Sequence, residues 1–71
     1  MSAATMTESA AEYFSRTRPV IEPRRDGVDA HAYRMYVATQ ETRIEAWRGA
    51  AEGFARAMGL DVAKFLAACG A

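Results

Sequence analysis

Side-chain catalysis near neutral pH commonly starts from a histidine or a cysteine, and this chain has one of each, His31 and Cys69. A nucleophile needs a base within hydrogen-bond reach, and no serine–histidine–acid spacing supports such a set. Cys69 has no basic neighbour nearer in sequence than Lys64. Nothing there lowers its pKa, so it reads as a packed thiol and not an activated one. His31 falls in the first turn of an expected helix and reads as exposed. One histidine and one cysteine cannot fill a zinc site of four protein ligands within one chain. No phosphate loop or dinucleotide fingerprint occurs, and Glu41 and Glu45, one turn apart, read as a solvated face. We therefore expect no enzyme, and no catalytic, cofactor-binding or metal-binding residues.

Recognition is the chemistry that remains. Residues 16–25, RTRPVIEPRR, hold Arg16, Arg18, Arg24 and Arg25 against one glutamate. They read either as a solvated linker or as a basic arm that touches phosphate or an acidic partner. Tyr36, Gln40 and Arg43 share the direction that Trp47 and Phe54 take further along the chain. Tyrosine and arginine are enriched in binding hot spots. Equally, Arg43 can snorkel and Gln40 can set register.

These residues need elements to position them. Seventy-one residues make one small domain. Its core is expected to supply only ~3–5 kcal/mol, so an oligomeric partner is a common remedy. A lone cysteine allows no disulfide within the chain and suits a reducing compartment. Formal net charge is zero, which gives no general pull toward nucleic acid. No run approaches the ~18 apolar residues of a membrane span. MSAATMTESAAEYF has neither a basic n-region nor an apolar h-region. A soluble cytoplasmic protein with no membrane contact is the expectation.

The pattern predicts an all-α chain. A first short helix covers 5–15, with Thr5–Glu8 and Ser9–Glu12 matching capping boxes and Met6, Ala10, Tyr13 and Phe14 on one face. Pro19 ends it. A basic linker then runs over 16–28, punctuated by two prolines and Asp26-Gly27, with Val20-Ile21 extended across an apolar surface. GVDAHAY (27–33) and GLDVAKF (59–65) form a near-repeat. Each reads as a helix start, with Asp29 or Asp61 as N-cap. Val28–Tyr33 and Leu60–Phe65 would be the apolar staples. A long helix should span Ala30–Met58 and stop at a left-handed Gly59, with Leu60 folding back on Phe54 or Ala55. A short helix follows over Val62–Cys69, burying Val62, Phe65, Leu66 and Cys69, with Gly70 closing it.

The long helix carries EAWRGAAEGFARAMG (45–59), in which two interior glycines cost about 1 kcal/mol each against alanine. At ~100° per residue it divides into stripes. Ile44, Trp47, Ala51, Phe54 and Met58 are the large ones. Glu45, Arg48, Glu52 and Arg56 are charged, with Arg48–Glu52 and Glu52–Arg56 as i,i+4 pairs. Ala46, Gly49, Ala50, Gly53 and Ala57 are all small. Such a flank lets another backbone come close, whether from this chain, its twin or another protein; by analogy, small-xxx-small faces do this in membranes. Exposed glycines that let the helix bend are the alternative. A seam at Ala30, Tyr33, Val37, Gln40, Ile44, Trp47, Ala51, Phe54 and Met58 has the 3–4 spacing of a coiled-coil-like hairpin or dimer. Two short helices cannot cover both stripes, so self-association or a protein partner is expected.

FARAMGLDVAKFLAAC (54–69), through Gly59, Leu60, Asp61, Phe65 and Leu66, resembles the second half of ribbon-helix-helix DNA-binding proteins. The resemblance implies a dimer whose DNA-reading strand is YRMYVATQETR (33–43), with Arg34 and Tyr36 pointing one way. Two readings follow. The leading one is a small non-enzymatic helical binding protein, expected as a dimer, that docks on itself and on a protein partner as a regulator, adaptor or mobile-element-type inhibitor. The alternative is a dimeric DNA-binding regulator. They part at residues 33–38, helix in the first and strand in the second.

Overall fold

The computed structural model describes the backbone of residues 3–71 and the side chains of residues 9–71. Three helices follow in order, α1 (Ala3–Thr17), α2 (Ala30–Ala57) and α3 (Val62–Ala68). No strand occurs among the described residues. The short, long, short order is the expected one.

α1 is longer than the sequence pattern suggests. It starts at Ala3, so neither Thr5 nor Ser9 stands at its N-terminus as a cap. The run Ala3-Ala4 has the highest helix propensity available and carries the helix upstream. Downstream it reaches Thr17, whose Oγ1 donates to the Tyr13 carbonyl at 2.9 Å. Arg16 is thus helical and not part of the linker; its guanidinium carbon lies 5.9 Å from the centre of the Tyr13 ring. Ala10, Ala11 and Phe14 pack on the core, whereas Tyr13 is 53% exposed. The Met6 and Glu8 side chains lie outside the described residues.

The near-repeat does give two helix starts. Asp29 is the N-cap of α2, with Oδ2 accepting from the Ala32 N–H at 3.0 Å. Asp61 caps α3 in the same way, accepting from the Lys64 N–H at 3.0 Å. Each cap contributes roughly 1 kcal/mol. The repeat extends to the helix ends. Gly59 has φ +69°, its N–H donates to Arg56 at 3.1 Å, and the Leu60 N–H donates to Ala55 at 2.8 Å. Gly70, at φ +85°, sits in an equivalent turn: its N–H donates to Ala67 at 3.1 Å and the Ala71 N–H to Leu66 at 3.0 Å. Both are Schellman closures, which satisfy carbonyls that a helix end leaves unpaired.

The core lies where α3 folds back on the C-terminal half of α2. Ala51, Ala55, Phe65 and Cys69 are its buried residues. Ala51 and Ala55 are one turn apart, as are Phe65 and Cys69, so a small pair on α2 receives a larger pair from α3. Phe14 of α1 closes the cluster. Its ring centre is 5.9 Å from those of Phe54 and Phe65 and 6.4 Å from that of Trp47. The N-terminal half of α2 projects beyond this cluster. The molecule measures 50 × 17 × 15 Å with a radius of gyration of 15.3 Å, against about 11 Å for a compact domain of this length.

Candidate protein-docking surface

Two sides of α2 have opposite fates. Along the seam, Tyr33, Val37, Gln40, Ile44, Trp47 and Phe54 are half-buried and Ala51 is buried, while Ala30 and Met58 at the ends are exposed. α1 and α3 cover the C-terminal half. The linker covers the N-terminal half, held mainly through its backbone. Gln40 Nε2 donates to the Val20 carbonyl at 2.9 Å, and the Tyr33 hydroxyl donates to the Glu22 carbonyl at 2.8 Å. The Tyr36 hydroxyl accepts from the Glu22 N–H at 3.2 Å and donates to the Val20 carbonyl at 3.3 Å. The linker therefore runs antiparallel to α2, strapped by polar tips that rise from an apolar seam. A coil segment does the covering that two short helices cannot.

The sequence-predicted contact residues divide accordingly. Tyr36 and Gln40 hold the strap, and Arg43 donates to Gln40 Oε1 at 3.2 Å. Trp47 donates its indole N–H to the Phe14 carbonyl at 2.9 Å, and Phe54 packs on the core. These contacts are internal to the chain. Gly49 and Gly53 are different, since a Cβ built at either meets nothing within 4 Å. No part of the described chain comes close to the small flank. The close approach inside the chain uses Ala51 and Ala55, on the other side of the helix.

The open face extends further than the glycines. Met35, Ala38, Thr39, Thr42, Ala46, Gly49, Gly53 and Ala57 are all exposed, and at ~100° per residue they fall in one sector opposite the seam. No charged side chain lies in its middle. Arg34, Glu41, Glu45, Arg48, Glu52 and Arg56 keep to one flank. Of the expected ion pairs there, Arg56–Glu52 forms at 2.5 Å; Arg48–Glu52 does not. Thr39 and Thr42 donate back to the Met35 and Ala38 carbonyls at 3.0 and 3.1 Å. Their hydroxyls are satisfied within the helix.

The arginines of residues 16–25 do not form one arm. Arg16 lies over Tyr13, Arg18 donates to the Gly70 carbonyl, Arg25 is 3.8 Å from Glu22, and Arg24 is exposed. Cys69 is fully buried, and burial pushes its thiol pKa up. His31 is exposed. Among the described residues no cluster of His, Cys, Asp or Glu could hold a metal, and no helix is long and apolar enough to cross a membrane.

The chain matches no family model, no curated protein and no solved structure. Its surfaces must be read from their own chemistry. Residues 33–43, which the ribbon-helix-helix resemblance would make a strand, lie inside α2 and are helical. The helix–Gly59–helix junction within 54–69 is present.

The strap went unforeseen in its form. Val20-Ile21 was legible as an extended segment, but its ties were not. Tyr33, Tyr36 and Gln40, at i, i+3 and i+7, carried the signal: polar-tipped side chains on or beside a seam otherwise apolar.

Proposed function

We propose that the chain is a small non-enzymatic binding protein that acts by helix-mediated docking, to a second copy of itself and to a protein partner. The observation that carries this reading is the charge-free outer face of α2. A helix outer face that meets only water is ordinarily lined with charged and polar side chains. Here alanines, glycines, back-bonded threonines and Met35 line it, and Met35 is 58% exposed. The face runs from Met35 to Ala57, about 33 Å at 1.5 Å per residue.

Open space at Gly49 and Gly53 lets a second helix axis approach to the short end of the usual 8–10 Å range. Two copies presenting the same face make a self-complementary two-fold contact. The thin core supports the same reading, because pairing would cover apolar surface that one copy leaves open. Val20, Ile21 and Val28 on the linker are exposed as well, and they offer a protein partner apolar contacts on the opposite side. Regulator or adaptor roles fit a binding protein of this kind.

Sedimentation of the wild-type chain and of Gly53→Leu tests the reading. Wild type is expected to be dimeric at micromolar concentration. Gly53→Leu is expected to be monomeric with its helical circular dichroism retained, since the new side chain meets nothing in its own chain. A wild-type monomer throughout, or an unchanged dimer in Gly53→Leu, overturns the contact face. No specific observation favours the DNA-binding alternative, and Lys64 is the sole charged side chain of α3. DNA affinity that falls steeply with salt would favour it.

A further inference from the structure

On the seam side of α2, away from the charge-free face, the linker, α2 and Gly70-Ala71 line an open pocket of about 370 Å³. Val20 and Ile21 of the linker and Ile44 and Trp47 of α2 supply its apolar lining, and Arg18 and Arg48 line it as well. We propose that this pocket binds a small amphipathic monocarboxylate, an apolar chain or ring that carries one carboxylate.

The size and lining suit a small ligand. Such sites are ~300–1,000 Å³, mostly apolar, with a few polar groups that fix orientation. The charge of the ligand follows from the two arginines. Arg18 is committed in part, because one nitrogen of its guanidinium donates to the Gly70 carbonyl. Arg48 is not. It forms no ion pair among the described residues, and Glu52, one turn along, is bonded to Arg56 instead. A guanidinium with its donors unspent fits a carboxylate through two parallel hydrogen bonds. One such fork beside an apolar lining selects one carboxylate on an apolar body. Trp47 completes the wall without competing for the head group, since its only donor is spent on Phe14. Arg48 flanks the docking face of α2 but does not lie on it, so the pocket does not depend on dimerisation.

Trp47 is the only tryptophan, so its fluorescence reports occupancy directly. The full chain is titrated at neutral pH with decanoate and with decanol, each below its self-association limit, with amide NMR shifts to locate binding. Decanoate is expected to bind one per chain, with shifts at residues 18–21 and 44–48, about tenfold or more tighter than decanol, as a charge-assisted hydrogen bond implies. Arg48→Gln should erase that preference while leaving decanol binding unchanged, and Gly53→Leu should bind decanoate as the wild type does. Arg48 is exposed and without a partner among the described residues, so Arg48→Gln is expected to fold. No saturable response to decanoate, equal affinity for decanol, or undiminished decanoate binding in Arg48→Gln overturns the proposal. So does binding of many molecules per chain with loss of helix.

Discussion

The indole N–H of Trp47 donates to the backbone carbonyl of Phe14 at 2.9 Å, and so ties α2 to α1 across 33 residues. Phe14 lies in the last turn of α1, and its carbonyl accepts from the Thr17 hydroxyl as well, at 3.4 Å. Trp47→Phe keeps an aromatic ring but loses the donor together with the five-membered ring that carries it. It is expected to destabilise the chain by about 1 kcal/mol, read as a lower urea midpoint with an unchanged slope. An unchanged midpoint would mean that water replaces the indole without cost.

The strap makes a local prediction. Tyr33→Phe combined with Gln40→Leu removes two of its ties and leaves the α1–α2–α3 cluster intact. Trypsin should then cut after Arg24 and Arg25 roughly thirtyfold faster, because two hydrogen bonds of about 1 kcal/mol each no longer oppose local opening. Helical circular dichroism should stay as it is. Equal cleavage rates would show that the bonds do not hold the linker.

Two glycine substitutions should have opposite signs. Gly49→Ala places a methyl in open space on a helix and should stabilise by up to about 1 kcal/mol. Gly59→Ala forces a left-handed residue at φ +69° and should cost about 1 kcal/mol or more. Thermal unfolding of both variants at one low concentration separates them. A loss of stability in Gly49→Ala would contradict the open space.

Burial raises the Cys69 pKa above its ordinary value. The unfolded chain releases the thiol proton first as pH rises. The contribution is therefore fully present below the unfolded pKa and is lost as pH climbs toward the folded one. Stability should decline above about pH 8.5 through this group, and Cys69→Ala should flatten that decline. Alkylation of native Cys69 should be slow and should accelerate with denaturant.

Helix boundaries were readable wherever a local rule decided them. Asp29, Asp61 and Gly59 act through hydrogen bonds to residues three to five positions away, and such bonds are written in short stretches of chain. The start of α1 was misplaced because alanines at Ala3-Ala4 need no cap motif to be helical. The fate of the long helix was harder. The seam was visible as a spacing, but what covers it depends on distant partners, Val20 with Gln40 and Phe14 with Trp47, which periodicity does not pair. The small flank at Gly49 and Gly53 is exposed and has open space beside it. The close approach within this chain nonetheless went to Ala51 and Ala55, because α3 arrives from the side that its tight turn at Gly59 dictates.

The strap is held by main-chain atoms of Val20 and Glu22, not by their side chains. Substitutions that keep this stretch extended should leave the ties in place whatever side chain they install. Val20 and Glu22 are both exposed. The tether is thus indifferent to the residues that it displays, and binding preference along this edge can drift under selection without endangering the fold that carries it.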